Sequence, residues 1–345
     1  MKINIKDVAR EAGVSITTVS HALNGYPEVA QETRNRVKET ADRLGYFPNI
    51  NGRNLARKGG YRMAMIISGI LERNVRDTTT FREMQGVYAY CSDHDLEVAV
   101  YARDPEKITY SQFCRRYALE GAILSGRYTD STELEDLMKI SIPFVAMDME
   151  CLTGQAEGIT IDNAAAAAAI TRYLQNHGHS KILLVTGSLD CAGQAERMMG
   201  VMAAMDQAEI PLQQEDILHC GNAEGEHDET RMEPSAYRSM KEYLDQNGAG
   251  RHTAILCLDD FLALGVRKAI LEAGYRIPED FSLTGFGGSI LGEYIEPALT
   301  TVEWDPFDIG YAAAELLHGR MRNKMVDSTV IPYRIAARDS VKKLQ

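Results

Sequence analysis

The 345-residue sequence lacks the features that mark a membrane or exported protein. No run of about 18 apolar residues is present, so no transmembrane helix is expected. Residues 1–10 are polar and basic with no apolar stretch behind them, so no secretory signal peptide is expected. The six cysteines are scattered without a Cys-x-x-Cys pair, which predicts reduced thiols and no zinc site. We therefore expect a cytoplasmic protein without a membrane partner.

Motifs of the common enzyme classes are also missing. The chain has no Gly-x-Ser-x-Gly elbow, no phosphate-binding loop and no His-Glu-x-x-His pair. A Gly-rich run at residues 285–288 is weak as a nucleotide motif, and His177 and His179 are more typical of loop or cap positions than of metal ligands. The acidic run at residues 224–229 indicates a solvated loop. Neither an enzyme nor a resident cofactor or metal is predicted.

Charge is divided unevenly along the chain. The formal net charge of −12 alone argues against a nucleic-acid partner. Residues 1–60 nevertheless contain 10 Lys and Arg and only 6 Asp and Glu. The remaining residues contain 27 Lys and Arg and 43 Asp and Glu. This distribution indicates a basic N-terminal segment that meets phosphate and an acidic body.

Three short helices are predicted in residues 1–48. Apolar residues recur at helical spacing from Ile5 to Ala12, and after a Gly13 break Ser15 can cap a second helix that runs to Leu23. A third helix is predicted from about residue 31 to residue 44, where glycine and then proline stop it. Residues 49–60 are polar and basic and indicate a linker.

The rest of the chain alternates strand-like and helix-like segments. Buried strands are predicted at residues 63–67, 96–101, 121–124, 143–147, 158–161, 181–186, 253–258 and 281–286. Helices are predicted at about residues 81–94, 131–139, 163–177, 190–207, 234–247, 260–273 and 306–320. This rhythm predicts an α/β fold with parallel sheets, and the length favours two lobes. Breaks near residues 151–158 and 287–293 are the expected crossings between them.

The first two helices and their tight glycine turn predict a helix-turn-helix. Val19 and Leu23 fall on the inner face of the second helix, whereas Ile16, Thr17 and His21 fall on its outer face. Hydroxyl side chains near the start of this helix could meet phosphate. An ordinary three-helix bundle has the same spacing, so the pattern alone leaves DNA binding open.

The head resembles that of the lactose-repressor (LacI/GalR) family almost position by position. The similarity runs through residues 3–15, Thr18-Val19-Ser20, Leu23-Asn24, Thr33-Arg34, Val37 and Leu44-Gly45-Tyr46-x-Pro48-Asn49. By resemblance, Ile16, Thr17 and His21 are the residues that read bases. The same resemblance assigns the DNA backbone to Ser15, Thr18, Ser20, Asn24 and Thr33.

Two positions of the head depart from the family. His21 stands where arginine is usual, and because histidine offers fewer donors than the arginine fork we expect a different operator. Residues 49–58 match the family's hinge helix, which implies DNA contacts for Asn49, Arg53 and Leu55, with Leu55 wedged into the minor groove. An ordinary linker is the alternative. Gly52 replaces the usual alanine, so this hinge is expected to fold less readily.

The body resembles the same family's two-lobed effector domain, which is similar to periplasmic binding proteins. The matching motifs include residues 160–163, 176–179, 277–278, 281–286 and 297–302. The resemblance implies a cleft between the lobes at the carboxyl ends of the strands. It would be lined by Ser68, Ser125, Asp148, Ile161, Arg197, Asp259, Gly287 and Trp304.

The chemistry of that lining favours a neutral polyol or a cationic ligand over a strongly anionic one. Asp148 and Asp259 can accept hydrogen bonds from neighbouring hydroxyls, Arg197 offers a planar fork, and the flat ring of Trp304 suits a sugar face. A sugar is the first choice. A nucleobase or nucleoside is the alternative, and so is a regulator without an effector, since Gly287 and Gly288 replace a common acidic contact.

The resemblance implies a head (1–48), a hinge (49–60) and an effector-binding and dimerisation domain (61–345). The expected function is that of a transcriptional regulator, most simply a repressor. A homodimer would bind a pseudo-palindromic operator under the control of a small effector. A dimer is expected because the polar segment 338–345 carries no further heptad.

Overall fold

The chain divides into two compact units, residues 1–61 and 62–345. The computed structural model describes residues 3–23, 26, 28–46, 62–68, 78–125, 135–137, 139–147, 158–189, 192–220, 232–324 and 330–344. Among these residues, no helix has the length and apolar character to cross a membrane.

The first unit contains the three predicted helices, α1 (Ile5–Ala12), α2 (Ile16–Leu23) and α3 (Gln31–Leu44). Asn4 caps α1 through the amide of Lys6, and Gly13 ends it at a φ of 66°. The buried residues of the three helices form one core of Val8, Ala9, Ala12, Val19, Ala22, Val29, Val37 and Ala41. The helix-turn-helix prediction is therefore confirmed.

The second unit alternates strands and helices. Its strands are β1 (Arg62–Ser68), β2 (Glu97–Arg103), β3 (Gly121–Ser125), β4 (Phe144–Met147), β5 (Gly158–Ile159), β6 (Ile182–Thr186), β7 (Ile217–His219), β8 (Ala254–Cys257), β9 (Ser282–Phe286), β10 (Thr300–Glu303) and β11 (Arg334–Ala336). Its helices are α4 (Thr78–Asp93), α5 (Tyr110–Arg116), α6 (Asn163–Asn176), α7 (Ala192–Gln207), α8 (Met232–Asn247), α9 (Asp260–Glu272), α10 (Leu291–Tyr294) and α11 (Pro306–Met321).

The strands form two sheets, which confirms the two-lobed α/β body. The first sheet has the order β2-β1-β3-β4-β5, and the second has the order β11-β10-β9-β8-β6-β7. All pairings between these strands are parallel except that of β10 with β11. Because the strands are parallel, their carboxyl ends lie at one edge of each sheet, where binding residues gather in open α/β folds.

The chain crosses between the lobes at other places than the sequence predicted. After β5 of the first sheet, α6 packs on α7 of the second lobe. After β10 of the second sheet, α11 packs on α4, β3 and β4 of the first lobe. The crossing predicted near residues 287–293 is wrong, because β9 and β10 on either side of it pair in the same sheet. The other predicted crossing, at residues 151–158, lies almost wholly outside the described residues.

Glycines allow two of the helix pairs to pack closely. A Cβ at Gly86 in α4 would lie 2.0 Å from the carbonyl oxygen of Phe307, so α4 and α11 meet backbone to backbone. A Cβ at Gly200 in α7 would lie 2.1 Å from the carbonyl oxygen of Ala164 in α6. Only hydrogen fits at such distances, and the second contact brings the functional residues of α6 and α7 together.

Candidate functional site

The second helix of the head presents a polar outer face. Ser15 caps it, since its Oγ accepts from the amide of Thr18 at 3.0 Å and lies 2.8 Å from the Thr18 hydroxyl. Val19 is buried and Leu23 packs against the same core, as predicted. Ile16 and Thr17 are exposed, so α2 offers them outward while its inner face holds the bundle together.

His21 lies at the end of that outer face in contact with an aromatic ring. It is half-buried, and its ring centroid lies 4.8 Å from that of Tyr26. Tyr26 is held in turn by α3, because Arg34 of that helix donates from Nη2 to its carbonyl oxygen at 2.8 Å. The imidazole is therefore packed against a ring that is itself held in place. The sequence pattern did not identify Tyr26 as a neighbour of His21.

The start of α3 carries backbone donors with no side-chain cap. Its N-cap residue is Ala30, which makes no capping hydrogen bond, and Thr33 is half-buried in the first turn. Free amides at a helix N-terminus attract anions, which fits the predicted phosphate contact of Thr33. Ser20 is half-buried on α2. The other predicted DNA contacts lie outside the described residues: Asn24, Asn49, Arg53 and Leu55.

Arg197 is the best-fixed charged group of the predicted cleft. Its Nε donates to the Oδ1 of Asn163 at 2.9 Å, and its Nη1 donates to the carbonyl oxygen of Leu258 at 2.8 Å. The guanidinium lies over the ring of Phe286, 4.1 Å from the centroid. The close packing of α6 and α7 supplies Asn163, so the fork is pre-oriented at the carboxyl ends of β8 and β9.

Trp304 completes an aromatic wall beside this arginine. Its ring lies edge-on to that of Phe286 with centroids 5.8 Å apart, and the Arg197 guanidinium is 6.0 Å from its centroid. The indole Nε1 is shielded from solvent, and no residue in the described ranges accepts its hydrogen bond. A buried donor of this kind is costly unless it is satisfied, so the wall suits a ligand that carries an acceptor.

Asp259 and Gly287 lie on the same side of the second lobe. Asp259 caps α9 through the amide of Phe261, with its Oδ1 accepting at 2.7 Å, and it is half-buried. Gly287 follows β9 at a φ of 139°, a conformation that a residue with a side chain rarely adopts. Backbone rather than a side chain is therefore exposed to the cleft predicted at the end of β9.

The first lobe contributes two buried serines at the carboxyl ends of β1 and β3. Ser68 donates to the hydroxyl of Tyr110 at 2.8 Å and accepts from Nε of Arg103 at 2.8 Å. Ser125 donates to Oε2 of Glu83 at 3.0 Å. Both hydroxyls are therefore engaged by buried neighbours, Tyr110 and Arg103 at Ser68 and Glu83 at Ser125.

Two of the predicted cleft residues remain to be placed. Ile161 is buried in the crossing and forms a bridge with Ile331, and Asp148 lies outside the described residues. His177 and His179 make structural contacts: His177 bonds the carbonyl oxygen of Tyr173 at 2.8 Å, and His179 lies 2.9 Å from the Thr253 hydroxyl. Across the described ranges, no group of three or more His, Cys, Asp or Glu side chains could hold a metal ion.

Comparison with protein-family models divides the chain in the same way. Residues 4–49 match the model for bacterial regulatory proteins of the lacI family, and residues 171–341 match a periplasmic binding protein-like domain. The transcriptional repressor PurR of Vibrio vulnificus is 31% identical over 99% of both chains. The chain belongs to the lacI family of bacterial regulatory proteins. Catabolite control protein A of Priestia megaterium, also 31% identical, covers 99% of this chain and is itself covered completely.

Solved structures of lacI-type regulators share the fold. The lac repressor dimer bound to operator and the anti-inducer ONPF aligns with 99% of this chain and 100% of its own at a TM-score of 0.73 and 20% identity. The complex of the transcriptional regulator CelR with cellobiose aligns with 98% of this chain and 100% of its own at a TM-score of 0.70 and 22% identity. At these identities the likeness establishes the fold and leaves the ligand open.

Within this lacI-family body, the structure gathers four of the predicted cleft residues on the second lobe. Arg197, Asp259, Gly287 and Trp304 all lie close to Phe286 or Leu258. The sequence-based reasoning missed Phe286 and Asn163 as supports for Arg197. The sequence did carry a signal for both residues: Phe286 is the last residue of a predicted strand and Asn163 is the first residue of a predicted helix, where binding residues gather in α/β folds.

Proposed function

We propose that this lacI-family protein is a repressor that binds a pseudo-palindromic operator as a homodimer and responds to a small, hydroxyl-rich effector. The head supports the first part, since Ile16, Thr17 and His21 share the outer face of a helix whose inner face is buried. The related repressor PurR supports a role in repression, and the complex of CelR with cellobiose supports a sugar as effector. The protein is not an enzyme in this proposal, and it acts in the cytoplasm, where the DNA is.

The observation that carries the effector proposal is the wall formed by Arg197, Phe286 and Trp304. A flat indole face suits the C–H surface of a sugar, and its partnerless Nε1–H suits a ring or hydroxyl oxygen. The guanidinium, fixed by Asn163 and the carbonyl oxygen of Leu258, adds donors at a defined angle. A sugar is therefore the effector class that this surface fits best.

A thermal-shift panel tests the proposal on the purified protein. The panel contains monosaccharides, disaccharides, sugar phosphates, polyols and purines. A ligand at about 100 times its dissociation constant adds about 2.7 kcal/mol to the free energy of unfolding, which raises the melting temperature measurably. Trp304→Phe keeps the aromatic face but removes the N–H, so we expect it to weaken a sugar hit.

Operator affinity is then measured by fluorescence anisotropy on a labelled duplex, with and without the compound that raised the melting temperature. The comparison shows whether the compound weakens or strengthens DNA binding. An affinity change at the operator supports an effector, and linkage requires the operator to change the affinity for the sugar by the same factor. A response to purines alone would replace the sugar with a nucleobase. No response to any class would favour a regulator without a small effector, and absence of operator binding would overturn the proposal as a whole.

A further inference from the structure

A buried carboxylate lies directly behind the cleft of the second lobe. Asp260, the first residue of α9, is 2% exposed. Its Oδ1 accepts from the hydroxyl of Thr301 at 2.7 Å, and its Oδ2 accepts from the amide of Ser289 at 2.6 Å. One carboxylate thus ties the start of α9 to strand β10 and to the loop that follows β9.

The loop at residues 287–289 is shaped around this carboxylate. A Cβ at Gly285 would lie 2.1 Å from Oδ1 of Asp260, and one at Gly287 would lie 3.6 Å from its Oδ2. Both Gly287 and Gly288 have positive φ, at 139° and 65°. The loop can follow this path because its residues are glycines and because Asp260 fixes the amide of Ser289.

The same loop lies against the single tryptophan of the chain. A Cβ at Gly288 would lie 2.6 Å from the Cβ of Glu303 and 3.8 Å from the backbone nitrogen of Trp304. The amide of Gly287 donates to the carbonyl oxygen of Val302 at 2.8 Å. A change in the loop would therefore alter the surroundings of Trp304, which stands where the chain crosses between the lobes.

The surroundings of Asp260 stabilise its ionised form only weakly. Burial raises the pKa of Asp260 to about 6, although the hydrogen bonds from Thr301 and Ser289 lower it. Asp259 on the same helix raises the pKa, and Arg338, whose Nη2 pairs with Glu303 at 3.0 Å, lowers it. Cys257 of β8 is a neutral thiol, because burial raises its pKa well above the usual value.

We infer that Asp260 is the positioning residue of the cleft loop: its ionised carboxylate holds residues 287–289 against Trp304, and loss of that charge loosens this hold. The carboxylate accepts from two fixed donors, one on β10 and one on the loop. Once it is protonated on Oδ1, that oxygen can donate to the Thr301 hydroxyl, which then donates to the carbonyl oxygen of Val302 at 3.2 Å. The amide of Ser289 is left donating to a neutral oxygen, so this hydrogen bond loses its charge assistance and the loop is held less tightly.

Intrinsic fluorescence tests this inference on the full-length protein without any ligand, because Trp304 is the only tryptophan. We expect the emission of the wild-type protein to change between pH 7.5 and pH 5 with a midpoint near 6. Asp260→Asn removes the titrating group, so its emission should not show this transition. Thr301→Val removes a donor that stabilises the carboxylate, so its midpoint should move upward by about half a pH unit.

Asp136→Asn is the matched control. Asp136 is also buried and accepts from the amide of Ser111 at 2.8 Å, but it lies in the first lobe. It should reproduce the wild-type transition, which would separate a local effect from general loss of stability.

Three results would overturn the inference. The first is a wild-type emission that does not change over this range. The second is a folded Asp260→Asn protein, verified by far-ultraviolet circular dichroism, that retains the wild-type transition. The third is a Thr301→Val protein whose emission midpoint equals that of the wild type. This result contradicts the role of Asp260 by itself if Asp260→Asn does not fold. None of these results depends on which effector binds, so failure here is distinguishable from failure of the proposed function.

Discussion

At the scale of single residues, we expect side chains on the outer face of α2 to select the operator, and His21 is one of them. It is supported by Tyr26, whose ring centroid lies 4.8 Å away, so its direction is set by the loop between α2 and α3. Ile16 beside it is 44% exposed and offers only apolar contact, for example with a thymine methyl group. We therefore expect the base preference of the head to rest on few hydrogen bonds.

We predict that His21→Arg changes the operator preference of the protein. An arginine fork can bind O6 and N7 of one guanine, which is worth about 1–3 kcal/mol of discrimination, or roughly 5- to 150-fold in affinity. Selection of bound duplexes from a random pool measures the preference of each protein. Lys38→Arg, at an exposed position of α3, should leave the preference unchanged. Identical consensus sequences for wild type and His21→Arg would contradict the assignment of His21 as a base reader.

Elements of the body were predictable where their pattern was strong. Long apolar strands such as β6 and long helices such as α6 were predicted close to their observed bounds. The strands β7, β10 and β11 were not predicted, because they are three or four residues long and carry polar side chains. Helix α5 was also missed; its start depends on a capping box between Thr109 and Gln112.

Helix pairs that meet at glycine should be intolerant of even one methyl group. We predict that Gly86→Ala lowers the free energy of unfolding by about 2 kcal/mol or more, because its Cβ would lie 2.0 Å from the carbonyl oxygen of Phe307. Backbone cannot yield as a side chain can, so α4 and α11 must separate. Urea unfolding followed by circular dichroism measures the change.

Gly193→Ala is the comparison within the same class of element. A Cβ there would meet no atom nearer than 3.9 Å, and alanine is the better helix former by up to about 1 kcal/mol. We therefore expect no loss of stability, or a small gain. Equal destabilisation by the two substitutions would show that the backbone contact at Gly86 has no special cost.

At the scale of the whole molecule, an exposed apolar group on the second lobe is consistent with the proposed homodimer. Ile290, Leu291 and Tyr294 are 46%, 43% and 82% exposed within five residues of chain. Large apolar side chains that cluster at a surface commonly mark a protein contact. They also follow directly on the loop that Asp260 positions, so the cleft and this surface share one segment.

We predict that Tyr294→Asp weakens the dimer. A charge placed in an apolar contact must be desolvated, so the monomer should become the main species at micromolar concentration, as measured by sedimentation velocity. Affinity for a full palindrome should fall with it, because two heads no longer act together. Met199→Gln, which alters an exposed apolar residue on α7, should leave both unchanged. A wild-type dimer unaffected by Tyr294→Asp would place the contact elsewhere.

The sequence by itself determined the classes of structure and the residues that face outward or inward. Helix periodicity and capping residues predicted the three helices of the head, since the bounds of short helices depend mainly on residues near them in the chain. The alternation of strands and helices predicted the parallel sheets, and the matching motifs indicated the family. Arg197 and Trp304 could be named for the cleft because each occupies a recognisable position.

Only the tertiary structure decided which of those residues meet and what supports them. Arg197 is fixed by Asn163, 34 positions away, because Gly200 lets α6 and α7 approach. Asp260 is buried against Thr301, 41 positions away, and its raised pKa follows from that burial. Ser68 and Ser125, which the sequence predicts as ligand contacts, bond to Tyr110 and Glu83 of their own lobe. Distances between residues far apart in the chain depend on packing, which periodicity and spacing do not encode.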